Sequence, residues 1–124
     1  MTPYATAQKA YRDSAILTAP PERLVVMLYD GAQRFLYQGA AAMRDGDLAR
    51  TNDRLQRAEA IIAELRSTLN FEAGEVAHRL EAIYAFSQRY LLEARLKRDP
   101  ERIEQVLELL AGLREAWNEI CGGK

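Results

Sequence analysis

The chain predicts an all-α fold, an antiparallel up-down-up-down four-helix bundle with a short N-terminal arm. Three observations carry that prediction. Apolar residues recur at three- and four-residue steps through four long stretches, none alternates as a half-buried strand would, and the breaks between them are short enough to force antiparallel neighbours. At 124 residues the chain has the length of one domain, so we expect a single domain over 1–124 with residues 1–19 as a mobile arm.

The arm sets Tyr4, Tyr11, Ile16 and Leu17 among small and polar residues, with Tyr4 and Tyr11 on one helical face at seven-residue spacing. It is too apolar for a plain tail. Two roles fit it, a strap over the core or a lid over a binding groove.

The first helix is expected to open at Pro21. Proline suits the first helical position, where its missing N–H would have had no partner, and Pro20 is held extended by the proline after it. Wound at about 100° per residue, Leu24, Val25, Leu28, Ala32, Phe35, Leu36, Gly39, Ala42 and Met43 share one apolar arc, a core face. Val26 and Tyr37 fall outside it beside Asp30 and Gln33, and Met27 lies near Arg34. A purely structural helix places polar residues on that side.

Arg44-Asp45-Gly46-Asp47 reads as a turn, with a glycine suited to the left-handed conformation and an aspartate that caps the next helix. The second helix carries a narrow seam of Leu48, Leu55, Ala58, Ile62, Leu65 and Leu69, with Ile61 at its edge. Asn70 to Gly74 breaks the period. A third helix, from about Glu75 to Arg98, turns Val76, Leu80, Ile83, Tyr84, Ser87, Leu91 and Ala94 inward, with Phe86 and Tyr90 widening that side. Leu92 and Leu96 point nearly the other way, with Ala85 and Arg89. Asp99 and Pro100 then cap and open a fourth helix with Ile103, Val106, Leu107, Leu110, Leu113, Trp117 and Ile120 inward.

Composition excludes several function classes. Lys and Arg number 17 against 18 Asp and Glu, so neither a nucleic-acid backbone nor an anionic membrane is the expected partner. One cysteine, Cys121, rules out an internal disulfide or a thiolate metal cage and fits a reducing compartment, so we expect a cytoplasmic protein. The N-terminus lacks a signal-peptide pattern, and no run of about 18 apolar residues spans a membrane.

Catalytic chemistry has no candidate. A di-metal bundle needs paired Glu-x-x-His motifs, whereas Glu75 to His78 supplies one and His78 points away from the core, so no metal or other cofactor is expected. No phosphate loop and no nucleophile with a helper residue occurs. The alternative reading is a histidine phosphotransfer domain using His78. Its usual pattern is H-x-L-K-G, and here the run is His78-Arg79-Leu80-Glu81-Ala82, with Glu81 where a lysine should attract phosphate.

Ala10-Tyr11-Arg12-Asp13-Ser14-Ala15-Ile16-Leu17-Thr18-Ala19-Pro20-Pro21-Glu22-Arg23-Leu24, followed by Met27-Leu28-Tyr29-Asp30-Gly31, closely resembles the flagellin-specific export chaperone family, FliS. Further matching stretches are Arg57 to Leu65, Thr68-Leu69-Asn70, Tyr90 to Ala94, Lys97-Arg98-Asp99 and Leu113 to Trp117, so the similarity covers nearly the whole chain. One departure is Pro20, where the family commonly has a serine whose capping bond is worth about 1 kcal/mol.

The resemblance implies a non-enzymatic bundle that binds the C-terminal segment of flagellin in the cytoplasm, prevents premature polymerisation and aids delivery to the flagellar type III export gate. It also implies that the arm can occupy part of the same surface when flagellin is absent. The contact candidates come from the helical wheel and the reading of the arm: Tyr11, Ile16 and Leu17 in the arm, Val26, Met27, Asp30 and Tyr37 on the first helix, and Leu92 and Leu96 on the third. Self-association into a homodimer through the off-core residues is the competing use of those positions.

Overall fold

The computed structural model describes residues 21–122. Four helices follow one another, α1 (Pro21–Arg44), α2 (Leu48–Ser67), α3 (Glu75–Lys97) and α4 (Pro100–Gly122), with a single 3₁₀ turn, Phe71–Ala73, between α2 and α3. α1 packs against α2 and α4, and α3 packs against the same two, so α1 and α3 occupy opposite corners of a four-helix bundle. The fold class expected from the sequence is the one observed.

The boundaries follow the capping chemistry. Gly46, at φ +77°, ends α1 in a Schellman arrangement in which Asp47 N–H donates to Ala42 O at 3.0 Å and Gly46 N–H to Met43 O at 3.1 Å. Asp47 then opens α2, its Oδ1 accepting from Arg50 N–H at 3.0 Å. The α3 end repeats the arrangement without glycine: Arg98 takes the left-handed conformation at φ 51°, and Asp99 N–H reaches Ala94 O at 2.9 Å. Asp99 Oδ1 in turn accepts from Glu101 N–H at 3.1 Å.

The core runs through Tyr29, Ala32 and Leu36 of α1, Leu55, Ala58 and Ile62 of α2, Tyr84, Leu91 and Ala94 of α3, and Ile103, Val106 and Leu110 of α4. Full burial of a leucine such as Leu36 contributes about 1.5–3 kcal/mol. Small residues bring α1 close to α2. A Cβ added at Gly39 would sit 2.9 Å from Leu55 Cδ2, and one at Gly31 would sit 3.3 Å from Ile61 Cδ1.

Three inward assignments and one edge assignment need correction. Val76 is largely exposed, and Ala77 takes its place in the interior, because Ala77 stands seven residues before Tyr84 on the buried face and Val76 lies about 100° round from it. Leu48, the first residue of α2, is exposed. Phe86 is exposed and stacks on Tyr90, ring centroids 5.0 Å apart, at the surface. Ile61, expected at the edge, is buried where Gly31 leaves it room. Ile120 falls outside the residues whose side chains are described.

Candidate functional site

The polar links of α1 show how its candidate residues are placed. Arg114 Nε of α4 donates to Asp30 Oδ1 at 2.9 Å, and Arg44 Nη2 donates to Glu104 Oε1 of α4 at 2.9 Å. These two bonds locate α4 on the side of α1 that carries Asp30. Val26 precedes Asp30 by one turn, shares that side, and is only 6% exposed. The expectation that Val26 stands off the core is therefore wrong. α1 is flanked by close helices on two sides, so its buried arc is wider than one core face.

Tyr37 and Met27 are open, at 70% and 38% exposure, and Asp30 is exposed beside them in its ion pair with Arg114. Leu92 and Leu96 are open on α3, at 50% and 75%. Because α1 and α3 are diagonal, these groups lie at opposite corners of the bundle and form no single groove. Tyr11, Ile16 and Leu17 lie outside the described residues.

Between those corners the helices are tied by polar contacts. Arg66 of α2 donates from Nε to Glu81 of α3 at 2.8 Å and from Nη1 to Gln88 at 2.7 Å, while Arg95 of α3 pairs with Glu59 of α2. On the α4 side Arg102 Nη1 donates to Glu93 at 2.6 Å, and its guanidinium lies 4.9 Å from the Tyr90 ring centroid. The hydrogen bond from Arg66 holds the Glu81 carboxyl below the usual glutamate range. Burial pushes Glu59 above it, opposed by the Arg95 charge.

One bond crosses the diagonal itself. The hydroxyls of Tyr29 and Tyr84, both buried, share a hydrogen bond through the centre of the bundle. Burial is the main cause that raises both phenols above their ordinary value.

One exposed aromatic, Phe71 in the break before α3, was not singled out in the sequence reading, which had placed the other, Phe86, inward. The available signal was an aromatic set in a polar break, Asn70-Phe71-Glu72, with no helical face to bury it. Phe71 packs against His78, ring centroids 5.0 Å apart. The exposed His78 shares its surroundings with Glu81, a carboxylate that would repel a phosphoryl group.

Comparison with known proteins decides the family. The family model described as "Flagellar protein FliS" matches residues 4–124. The chain belongs to the FliS family. It is 36% identical over 114 residues to the flagellar secretion chaperone FliS of Vibrio cholerae serotype O1, covering 91% of this chain and 84% of that protein. The FliS of Campylobacter jejuni is 36% identical over 115 residues, covering 92% of this chain and 90% of its own length. That of Salmonella typhimurium strain LT2 is 36% identical over 122 residues, covering 94% and 90%. These FliS proteins are named as chaperones, not as enzymes. Among the described residues, no helix is long and apolar enough to cross a membrane.

Proposed function

We propose that this chain is a non-enzymatic cytoplasmic chaperone that binds the C-terminal segment of flagellin, keeps it from polymerising early, and presents it to the flagellar type III export apparatus. The observation that carries this reading is the pairing of FliS membership with large apolar side chains left open on two corners of a well-packed bundle: Met27 and Tyr37 on α1, Leu92 and Leu96 on α3. An unfolded amphipathic client can fold against such positions and cover its own apolar face. In this reading Tyr11, Ile16 and Leu17 of the arm compete for the same surface, and Asp30 with Arg114 forms a charged rim beside Tyr37. Val26 supports the surface from beneath.

Replacing Leu92 and Leu96 together by serine tests the reading. Both side chains are outside the core, so the bundle should keep its urea midpoint while affinity for a flagellin C-terminal peptide falls by more than about 1 kcal/mol. Calorimetry reads the affinity, and an unchanged value removes α3 from the site. The client itself is checked by mixing with whole flagellin and with flagellin lacking its C-terminal segment, where the second should form no complex.

A further inference from the structure

The two halves of α3 are held unequally. In the second half Tyr84, Ser87, Leu91 and Ala94 are all buried, and polar ties run to both neighbours: Arg95 pairs with Glu59 of α2, while Arg102 and Gln105 of α4 bond to Glu93 and Tyr90. From Glu75 to Ala82, among the described residues, the one buried side chain is that of Ala77, a small one, with Leu80 half-buried. The start also lacks a side-chain cap. Asp47 and Asp99 each accept a backbone N–H at the starts of α2 and α4, whereas Gly74 precedes α3 and has no side chain to offer. Gly74 stands at φ +92° with nothing within 4 Å of an added Cβ, and glycine regains more backbone freedom on release than any other residue. An open cavity of about 610 Å³ lies between Ala63 and Ser67 of α2 and the pair of Phe71 and His78. That pair packs ring to ring, so the 3₁₀ turn and the first turns of α3 form one body. Arg66 of α2 ties this body down, its Nε donating to Glu81 at 2.8 Å while its Nη1 grips Gln88, in the well-held half, at 2.7 Å.

We propose that residues 71–82, the 3₁₀ turn and the first two turns of α3, form a lid that Arg66 latches to the end of α2 and that opens while the rest of the bundle stays folded. Little burial opposes the opening, and the uncapped start and Gly74 favour it. Arg66 keeps its bond to Gln88 when the lid lifts, so the guanidinium stays in place to meet Glu81 again on closing. The latch is a partly exposed ion pair, which dissolved salt loosens, so the lid is a conformational switch set by ionic strength.

Native-state hydrogen exchange on the full chain tests the lid, in the regime where closing outruns exchange and each rate reports an opening equilibrium. Amides of residues 79–82 should be protected at least tenfold less than those equally far into the capped helices, 52–55 of α2 and 104–107 of α4. Equal protection at the three starts is ordinary fraying and overturns the proposal. Two variants, each checked for folding by circular dichroism, separate the lid from global unfolding. Ile103→Val loosens the core beside the far end of α3, so it should speed the Leu36 amide, which exchanges through global unfolding, and leave 79–82 unchanged. Glu81→Ala releases the latch and should speed 79–82 severalfold. Raising salt should speed those amides more in the unaltered chain than in E81A. If I103V speeds 79–82 as much as Leu36, the lid opens only with the whole fold; if E81A leaves 79–82 unchanged, Arg66 is no latch. Either result overturns the proposal.

Discussion

Tyr29 and Tyr84 bring two hydroxyls into a largely apolar centre, and neither can remain there without a partner. A buried hydroxyl left unpaired costs about 1–3 kcal/mol, whereas removing both partners is far milder. Tyr84→Phe is therefore expected to destabilise the bundle by about 1–3 kcal/mol, because it leaves the Tyr29 hydroxyl without its partner. Tyr29→Phe should cost about 1–3 kcal/mol as well, because it strands the Tyr84 hydroxyl in the same way. The double variant should lose less than the sum, and urea melts of the four proteins measure the coupling. Strict additivity would mean that the two hydroxyls do not depend on each other. Tyr29, fully buried, was left out of the α1 core face read from the sequence, although it stands seven residues before Leu36. Val26 was harder to read, since its burial depends on α4 flanking α1, which periodicity within α1 does not reveal.

Helix starts were legible because each has its own chemistry: Pro21, Asp47 before Leu48, and Asp99 before Pro100. The α3 end was legible only to about a residue, since Arg98 occupies a left-handed position where glycine is the usual signal. Close approach between helices was hidden, and two glycines expose it. Alanine favours a helix over glycine by about 1 kcal/mol, so Gly112→Ala, with nothing within 4 Å of the added Cβ, should stabilise by roughly that amount. Gly39→Ala carries the same backbone gain but forces the fully buried Leu55 to move, at about 1–3 kcal/mol, and should come out destabilising. Thermal melts of the pair should shift in opposite directions. The polar ties between helices give a second expectation. Glu81 and Glu104 have carboxyl groups held below the usual value of 4.5, each first by an arginine hydrogen bond, so their stabilisation is present above that value and is lost as pH falls through the lower folded-state one. Glu59, raised by burial, works in the opposite sense, its contribution being lost as pH rises. A Glu81→Gln, Glu104→Gln variant should therefore show a flatter fall in urea midpoint below pH 4.5 than the unaltered chain.

At the scale of the molecule, the order of the helices could be read from short connections, but the surface could not, because which faces stay open depends on how four helices are placed around one another. The wheel of α1 and the wheel of α3 each yielded exposed apolar residues correctly in Tyr37, Leu92 and Leu96, yet neither could show that these lie at opposite corners. That placement constrains any client that uses both. A single straight helix cannot lie on two diagonal corners, so such a client must pass around α2 or α4 as an extended chain with separately docked segments. Separate docking has a measurable signature, because substitutions that share no partner add in free energy to within about 0.5 kcal/mol. Tyr37→Ser should weaken binding of the flagellin segment by about 1 kcal/mol. Combined with the Leu92→Ser, Leu96→Ser pair, its loss should add to theirs within that margin. A Tyr37→Ser change with no effect in either background would confine the client to α3. A combined loss well short of the sum would place both sets of residues in one coupled site, which a bundle with α1 and α3 at opposite corners does not provide.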